Sequence, residues 1–235
     1  MRYSANLNII LKAIEKASMH LSRDFMELEN LQPNPISADK FASHCYQKVK
    51  QVLTQEFTHL RPDYNIIFDD GQMITNTKNA EYTYQISAIN GLDNLARANP
   101  GFAVAIILVH KNEDDEEAQP ISVAINNIVN KEVYYCEKGF GAYLNNRRIR
   151  CSRRKDQMIA FVNDPKNLKL KAKFTQSLGS TALEVAYLAS AKAEIGIFDN
   201  NILNKNLLLL LKEAGGKIEE KDGYIVALGA PGNNY

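Results

Sequence analysis

The chain has 235 residues, 45% of them hydrophobic and 23% charged, which is enough to bury a sizeable core and too apolar for a disordered segment. Its 28 Lys and Arg against 27 Asp and Glu leave a net charge of +1, which excludes a global field for nucleic acid, an anionic membrane or an acidic partner. The first residues, MRYSANLNIILKAIEKASMHL, interleave Asn, Lys and Glu with apolar residues. They lack the apolar core of a secretory signal and are too polar to span a bilayer, so a soluble, cytoplasmic protein is expected. Cys45, Cys136 and Cys151 match no metal or redox spacing and read as reduced structural thiols.

In chain order, Leu7, Ile10, Leu11, Ile14, Ala17, Leu21, Phe25 and Leu28 recur at steps of three and four, which predicts one long amphipathic helix from about Ala5 to Glu29. Asn34-Pro35 breaks the chain, and a second helix is expected from Asp39 to His59 with Phe41, Cys45, Val49, Val52, Leu53 and Phe57 inward. Asp39 reads as the N-cap of that helix. Ile66-Ile67-Phe68 reads as a strand that leaves Asp69 and Asp70 at the mouth of a loop, as turn acids or as ligands.

A surface loop is expected over residues 72–83. The stretch YQISAINGLDNLARANPGFAVAIIL, from Tyr84 to Leu108, then reads as strand, Gly turn, short helix and buried strand. That is a common frame for a phosphate or metal site, yet Ser87-Ala88-Ile89-Asn90-Gly91 contains no acid. A scaffold reading makes Asn90 the N-cap, with Asp93 in the first turn and Leu92 and Leu95 packed inward.

KNEDDEEAQP, from Lys111 to Pro120, reads as a solvated acidic turn. Ile121–Ile128 and Glu132–Glu137 form a hairpin, and Gly139-Phe140-Gly141-Ala142 with Asn145-Asn146 marks further turns. The expected result is an antiparallel sheet with the two N-terminal helices on one face. Arg147, Arg148 and Arg150 with Arg153-Arg154-Lys155 are a solvated hairpin edge or a surface for an anionic partner. The distal third predicts strands at Met158–Val162, Glu194–Phe198, Ile218 and Tyr224–Leu228. It also predicts a helix over Thr181–Ser190 opened by Gly179-Ser180, and a helix over Leu203–Ala214 closed by Gly215-Gly216. Glu184 reads as a surface acid. The four histidines, His20, His44, His59 and His110, show no ligand spacing.

The order of these landmarks resembles the inositol monophosphatase family of Mg²⁺-dependent phosphate monoester hydrolases. GSTALEVAYLASAKAEIGIF, from Gly179, is similar to that family's Gly-Ser pair, Ala-Leu helix and strand. LLLLLKEAGGKI, from Leu207, is similar to its C-terminal signature, GFGAYLNNRRI to its Gly-x-Gly-Ala hairpin, and PGFAVAIIL to the strand after its first signature. The resemblance runs from Leu7 to Ala230. It implies an α+β fold, a layered αβαβα sandwich with a mainly antiparallel N-terminal sheet and a smaller C-terminal α/β half. The expected organisation is one domain, 1–235, with halves 1–150 and 151–235. The family continues into one more helix after the last strand, where this sequence has only residues 230–235.

Carried over residue by residue, the family's acidic pair falls on Asp69 and Asp70. The two aspartates of its Asp-Pro-x-Asp-Gly-Thr motif fall on Ser87 and Asn90, the Gly on the substrate-binding Gly91, and the catalytic Thr on Leu92. The late Trp-Asp falls on Ile202 and Leu203, and the water-activating acid on Asp39. Gly179 and Ser180 fall on substrate contacts. The resemblance therefore implies a degenerate metal site of Asp69, Asp70 and Asn90, Mg²⁺ that is not held tightly, and hydrolysis that is lost or very weak. It also implies a homodimer and, through the bacterial suppressor branch with its role in transcription, a protein or ribonucleoprotein partner. The competing expectations are a weakly active phosphatase on a reduced metal site and a folded remnant.

Overall fold

A computed structural model describes residues 3–112, 116–156, 158–163 and 172–229. The middle of the acidic turn and the 230–235 tail lie outside the described residues. The chain divides into two compact units, Met1–Val133 and Tyr134–Tyr235.

The first unit opens with three helices rather than the expected two. α1 (Ala5–Ser18) is capped by Ser4, whose Oγ accepts from the Leu7 N–H at 3.1 Å, and α2 (Leu21–Leu31) follows after Met19 and His20. Both linking residues keep helical dihedrals, and the Ser18 Oγ donates to the Ile14 carbonyl. The apolar period thus runs through a local interruption with no Gly or Pro to announce it. α3 (Pro35–Leu60) starts earlier than expected: Pro35 takes the first helical turn, where its missing N–H costs nothing, and the Asn34 side chain accepts from Ser37 N–H. Asp39 is therefore not an N-cap; it lies exposed inside α3.

These helices cover a sheet ordered β2-β1-β3-β4-β5, comprising β1 (Asn65–Phe68), β2 (Met73–Ile74), β3 (Tyr82–Asn90), β4 (Ala103–His110) and β5 (Gln119–Asn127). β2 and the start of β3 occupy the expected surface loop. The sheet is not wholly antiparallel, because β1 runs parallel to β3, Phe68 opposite Ile86. α1 packs on β4 and β5, and α3 on β3. β4 is buried from Ala103 to Val109, as its continuous apolar run requires. α4 (Leu92–Ala96) joins β3 to β4; its N-cap is Gly91 at φ +94, not Asn90. A left-handed residue is needed to turn the strand into the helix, and glycine adopts that φ without a Cβ penalty.

The second unit carries a meander of β6 (Glu132–Glu137, entering from the first unit), β7 (Gly141–Leu144) and β8 (Arg147–Ile149). Asn145 and Asn146, both at positive φ, make the two-residue turn between β7 and β8. Its other sheet is ordered β10-β9-β11-β13-β12, from β9 (Ile159–Val162), β10 (Phe174–Gln176), β11 (Ile195–Asp199), β12 (Lys217–Lys221) and β13 (Tyr224–Leu228). β10, short and exposed, has no counterpart among the expected strands.

α5 (Thr181–Ala189) begins at Ser180 as expected. The Leu-rich segment is a 3₁₀ turn, Lys205–Leu208, running into α6 (Leu209–Glu213), rather than one helix from Leu203. Its end is a Schellman motif: Gly215 N–H donates to the Lys212 carbonyl and Gly216 N–H to that of Leu211, with Gly215 at φ +87. No described helix is long and apolar enough to cross a membrane.

Candidate functional site

The candidate loop is shaped by one irregularity in β3. Ser87 pairs with Ala105 and Asn90 with Ala103, so three steps on β3 oppose two on β4. In a regular strand, residues three apart point to opposite faces. The bulge inserts an extra residue, buries Ala88 and Ile89 in succession, and turns Ser87 and Asn90 toward one another. Their side chains meet, the Asn90 amide donating to Ser87 Oγ at 3.4 Å.

The acidic pair arrives from β1. The Asp69 N–H donates to the Ile86 carbonyl at 2.9 Å, continuing the parallel pairing for one residue and seating Asp69 beside Ser87. Ser87 Oγ donates to Asp69 Oδ2, and the Tyr46 hydroxyl donates to Asp69 Oδ1 at 2.7 Å. Asp70 Oδ1 accepts from the Gln72 N–H at 3.0 Å, and Asp70 Oδ2 takes the ammonium of Lys50. All four carboxylate oxygens therefore carry a donor from the protein itself.

Lys50 and Tyr46 sit one turn apart on α3, so both side chains reach the end of β1. Lys50 is 4% exposed and its ammonium lies 4.8 Å from the Phe68 ring centroid. The Lys50 hydrogen bond is the main cause that holds the Asp70 carboxyl below its usual range. Burial and the neighbouring Asp69 push the Tyr46 phenol up, so it stays a neutral donor. A carboxylate is too weak a base to make an alkoxide of Ser87, so the Ser87–Asp69 contact is a hydrogen bond and not a nucleophile dyad.

Sequence reasoning missed Lys50 and Tyr46. The available signal was a lysine beside Val49 on the apolar stripe of a helix, where an unpaired charge is not tolerated. Among the described residues, no three His, Cys, Asp or Glu come together as a metal-binding group.

In the second unit, Leu203 is buried and Ile202 exposed. Gly179 has φ +69, and Ser180 Oγ caps α5 by accepting from the Leu183 N–H at 3.4 Å. Glu184 is not a surface acid. It is fully buried, with Oε1 accepting from the Leu178 N–H at 2.7 Å, and burial raises its carboxyl. Glu213 accepts from the N–H groups of Gly139 and Gly141, both at 2.7 Å. The GFGA turn and the EAGG helix end, far apart in sequence, are thus one hydrogen-bonded structure. The three cysteines are buried, and burial pushes the Cys45 and Cys151 thiols up to about 12.

No protein-family model matches the chain. It is 28% identical over 242 residues to an inositol-1-monophosphatase of Mesorhizobium japonicum, covering 95% of this chain and 88% of that one. It is also 28% identical over 231 residues to the Nus factor SuhB of Xylella fastidiosa, covering 90% and 80%. The extragenic suppressor protein suhB of Bartonella henselae superimposes with a TM-score of 0.81 over 97% of this chain and 95% of that chain, at 23% identity. Over nearly its whole length the chain is similar to proteins named inositol monophosphatase and SuhB. The inositol monophosphatase of Anabaena, at a TM-score of 0.73 and 20% identity over 96% and 92%, has the same fold.

Proposed function

We propose that this inositol monophosphatase family member has lost phosphate monoester hydrolysis, or retains it only very weakly, and acts by binding or regulation. The observation that carries this reading is the Lys50 ammonium on Asp70. Mg²⁺ requires charged oxygen ligands in near-octahedral array. Here the oxygens of Asp69 and Asp70 already accept from Tyr46, Ser87, Lys50 and a backbone N–H. A fixed positive charge at the same carboxylate also repels a second cation; at an effective dielectric of about 20, two unit charges about 4 Å apart interact by about 4 kcal/mol. Ser87 is short and uncharged, Asn90 is uncharged, and Leu92 has no hydroxyl to orient water. The donor set does not fit a divalent ion.

In this reading Asp69, Asp70 and Asn90 are a vestigial metal loop, Gly91, Gly179 and Ser180 have scaffold roles, and Asp39 is an exposed residue of α3. The chain works as one domain of two halves, as a cytoplasmic homodimer. Relatives named Nus factor support a protein or ribonucleoprotein partner as the target. A second reading, a weak Mg²⁺-dependent phosphatase, draws on the bulge that brings Ser87 and Asn90 together beside Asp69.

The deciding experiment titrates Mg²⁺ and Mn²⁺ against unfolding stability and measures inositol phosphate hydrolysis. A ligand at 100 times its dissociation constant adds about 2.7 kcal/mol. No shift at millimolar metal and no hydrolysis are expected. Hydrolysis that disappears in Asp70→Asn would overturn the proposal.

A further inference from the structure

The basic stretch Arg147 to Lys155 lies wholly in the second unit, and the structure gathers part of it into one place. Arg148 on β8 and Arg150, two residues on, project from the same side of the extended chain. With Arg153, they line a cleft of about 240 Å³ whose other walls include Cys151, Glu213 and Gly229.

The cleft is built on pinned backbone. The Cys151 N–H donates to the Ala214 carbonyl at 3.1 Å, anchoring the arginine segment to the end of α6. Gly229 lies so close that a Cβ there would stand 3.1 Å from the Ser152 carbonyl oxygen. The Arg148 guanidinium rests over Gly141, with Nε and Nη2 each 3.1 Å from where a Cβ would be.

The charges do not balance within the cleft. Three guanidiniums face one carboxylate, and that carboxylate, Glu213, spends an oxygen on each of the Gly139 and Gly141 N–H groups. Among the described residues, none of Arg148, Arg150 and Arg153 forms an ion pair or hydrogen bond. The Cys151 thiol is neutral, its pKa pushed up to about 12 by burial. The helix-end carbonyls of Leu211, Lys212 and Ala214 are taken by the N–H groups of Gly216, Gly215 and Cys151. Among the described residues the cleft lining therefore keeps an excess of positive charge, three guanidiniums against one carboxylate.

We propose that this cleft binds a small oxyanion of phosphate chemistry, either inorganic phosphate or diphosphate or the phosphate of a small metabolite. Planar guanidinium forks match phosphate oxygens bidentately. The volume falls below the roughly 300 Å³ at which pockets for drug-sized ligands begin, so it suits a phosphate or diphosphate group and not a whole dinucleotide. The cleft shares no lining residue with the Asp69–Asp70 loop and needs no divalent ion, so the proposal stands whether or not the chain hydrolyses phosphate esters.

The test is isothermal titration of the full chain with inorganic pyrophosphate in EDTA. Saturable one-to-one binding that weakens with added salt is expected. Arg150→Gln and Arg153→Gln should each weaken it about tenfold, the loss of one charge-assisted contact. All three cleft arginines are exposed, so both variants should fold, which circular dichroism checks. Arg97→Gln, in the first unit, should bind as wild type does. Displacement by a sugar phosphate would assign the site to a metabolite, and displacement by inorganic phosphate alone to the free ion; either supports the site. Three results would each overturn it: no binding at millimolar pyrophosphate, equal weakening by Arg97→Gln, or binding of single-stranded RNA without pyrophosphate binding.

Discussion

Lys50→Met removes the charge from the candidate loop while keeping most of the side-chain stem against Phe68. Breaking a fully buried ion pair costs about 3–5 kcal/mol, whereas surface pairs contribute about 0–1 kcal/mol. The Lys50 side chain is 5% exposed but that of Asp70 is 39% exposed, so water screens the acid. The lost pair is therefore placed at about 1–2 kcal/mol, offset in part because the ammonium no longer has to be desolvated.

Asp70 sets the pH dependence. Its folded pKa is depressed, chiefly by Lys50 and then by the Gln72 N–H. Its stabilising contribution is fully present above the unfolded value of about 3.9 and is lost as pH falls through the folded value. The stability gap between wild type and Lys50→Met should therefore be open at neutral pH and close in acid.

Metal response provides the third readout. With the resident cation gone, Asp70 Oδ2 is free, and Mg²⁺ at about ten times its dissociation constant would add about 1.4 kcal/mol to the variant alone. Urea unfolding with and without millimolar MgCl₂, at neutral and acid pH, measures all three quantities. Wild type stabilised by Mg²⁺ as strongly as the variant would refute the reasoning, as would a gap that persists unchanged into acid.

Two more outcomes are expected. Glu184→Gln should be at least as stable as wild type at neutral pH, because the amide oxygen still accepts from Leu178 and no buried carboxylate is ionised. The raised pKa means wild type is most stable below the unfolded value and weakens as pH rises toward the folded one, a slope the variant should lose in pH-dependent urea unfolding. If the slope survives in Glu184→Gln, another group causes it. Gly216→Ala would set a Cβ 2.6 Å from Leu211 Cγ and 2.9 Å from the Leu228 carbonyl oxygen. Overpacking against fixed backbone should cost about 1–3 kcal/mol, seen as a lower thermal midpoint; an unchanged midpoint would show that the α6 end shifts freely.

Much of the architecture was legible because it follows local rules. Period-four apolar residues marked the N-terminal helices, Asn145-Asn146 marked a hairpin, and Gly215-Gly216 marked the end of α6. Sequence and structure diverge where two local readings compete. Asn34-Pro35 does separate α2 from α3, but Pro35 is itself the first residue of α3, ahead of the Asp39 start that the sequence predicts. Asn90 looked like the cap of α4, but Gly91 takes the left-handed turn and leaves Asn90 in the strand. Glu184, in the first turn of a helix, reads as exposed; only the packing around α5 buries it.

By itself, the sequence determined the fold and the absence of an acid from Ser87 to Gly91, since both rest on which residue types occupy which positions. Tertiary structure alone decided what surrounds that loop. Lys50 and Asp70 are 20 residues apart, on a helix and after a strand, and no local rule pairs them. The bulge at Ala88 and Ile89 depends on register with β4, which no single strand specifies. The arginine cleft arises because the end of α6 and the residue after β13 close on a hairpin edge that, read alone, is only a basic stretch. Burial and charge pairing are properties of neighbours in space, and those neighbours come from distant parts of the chain.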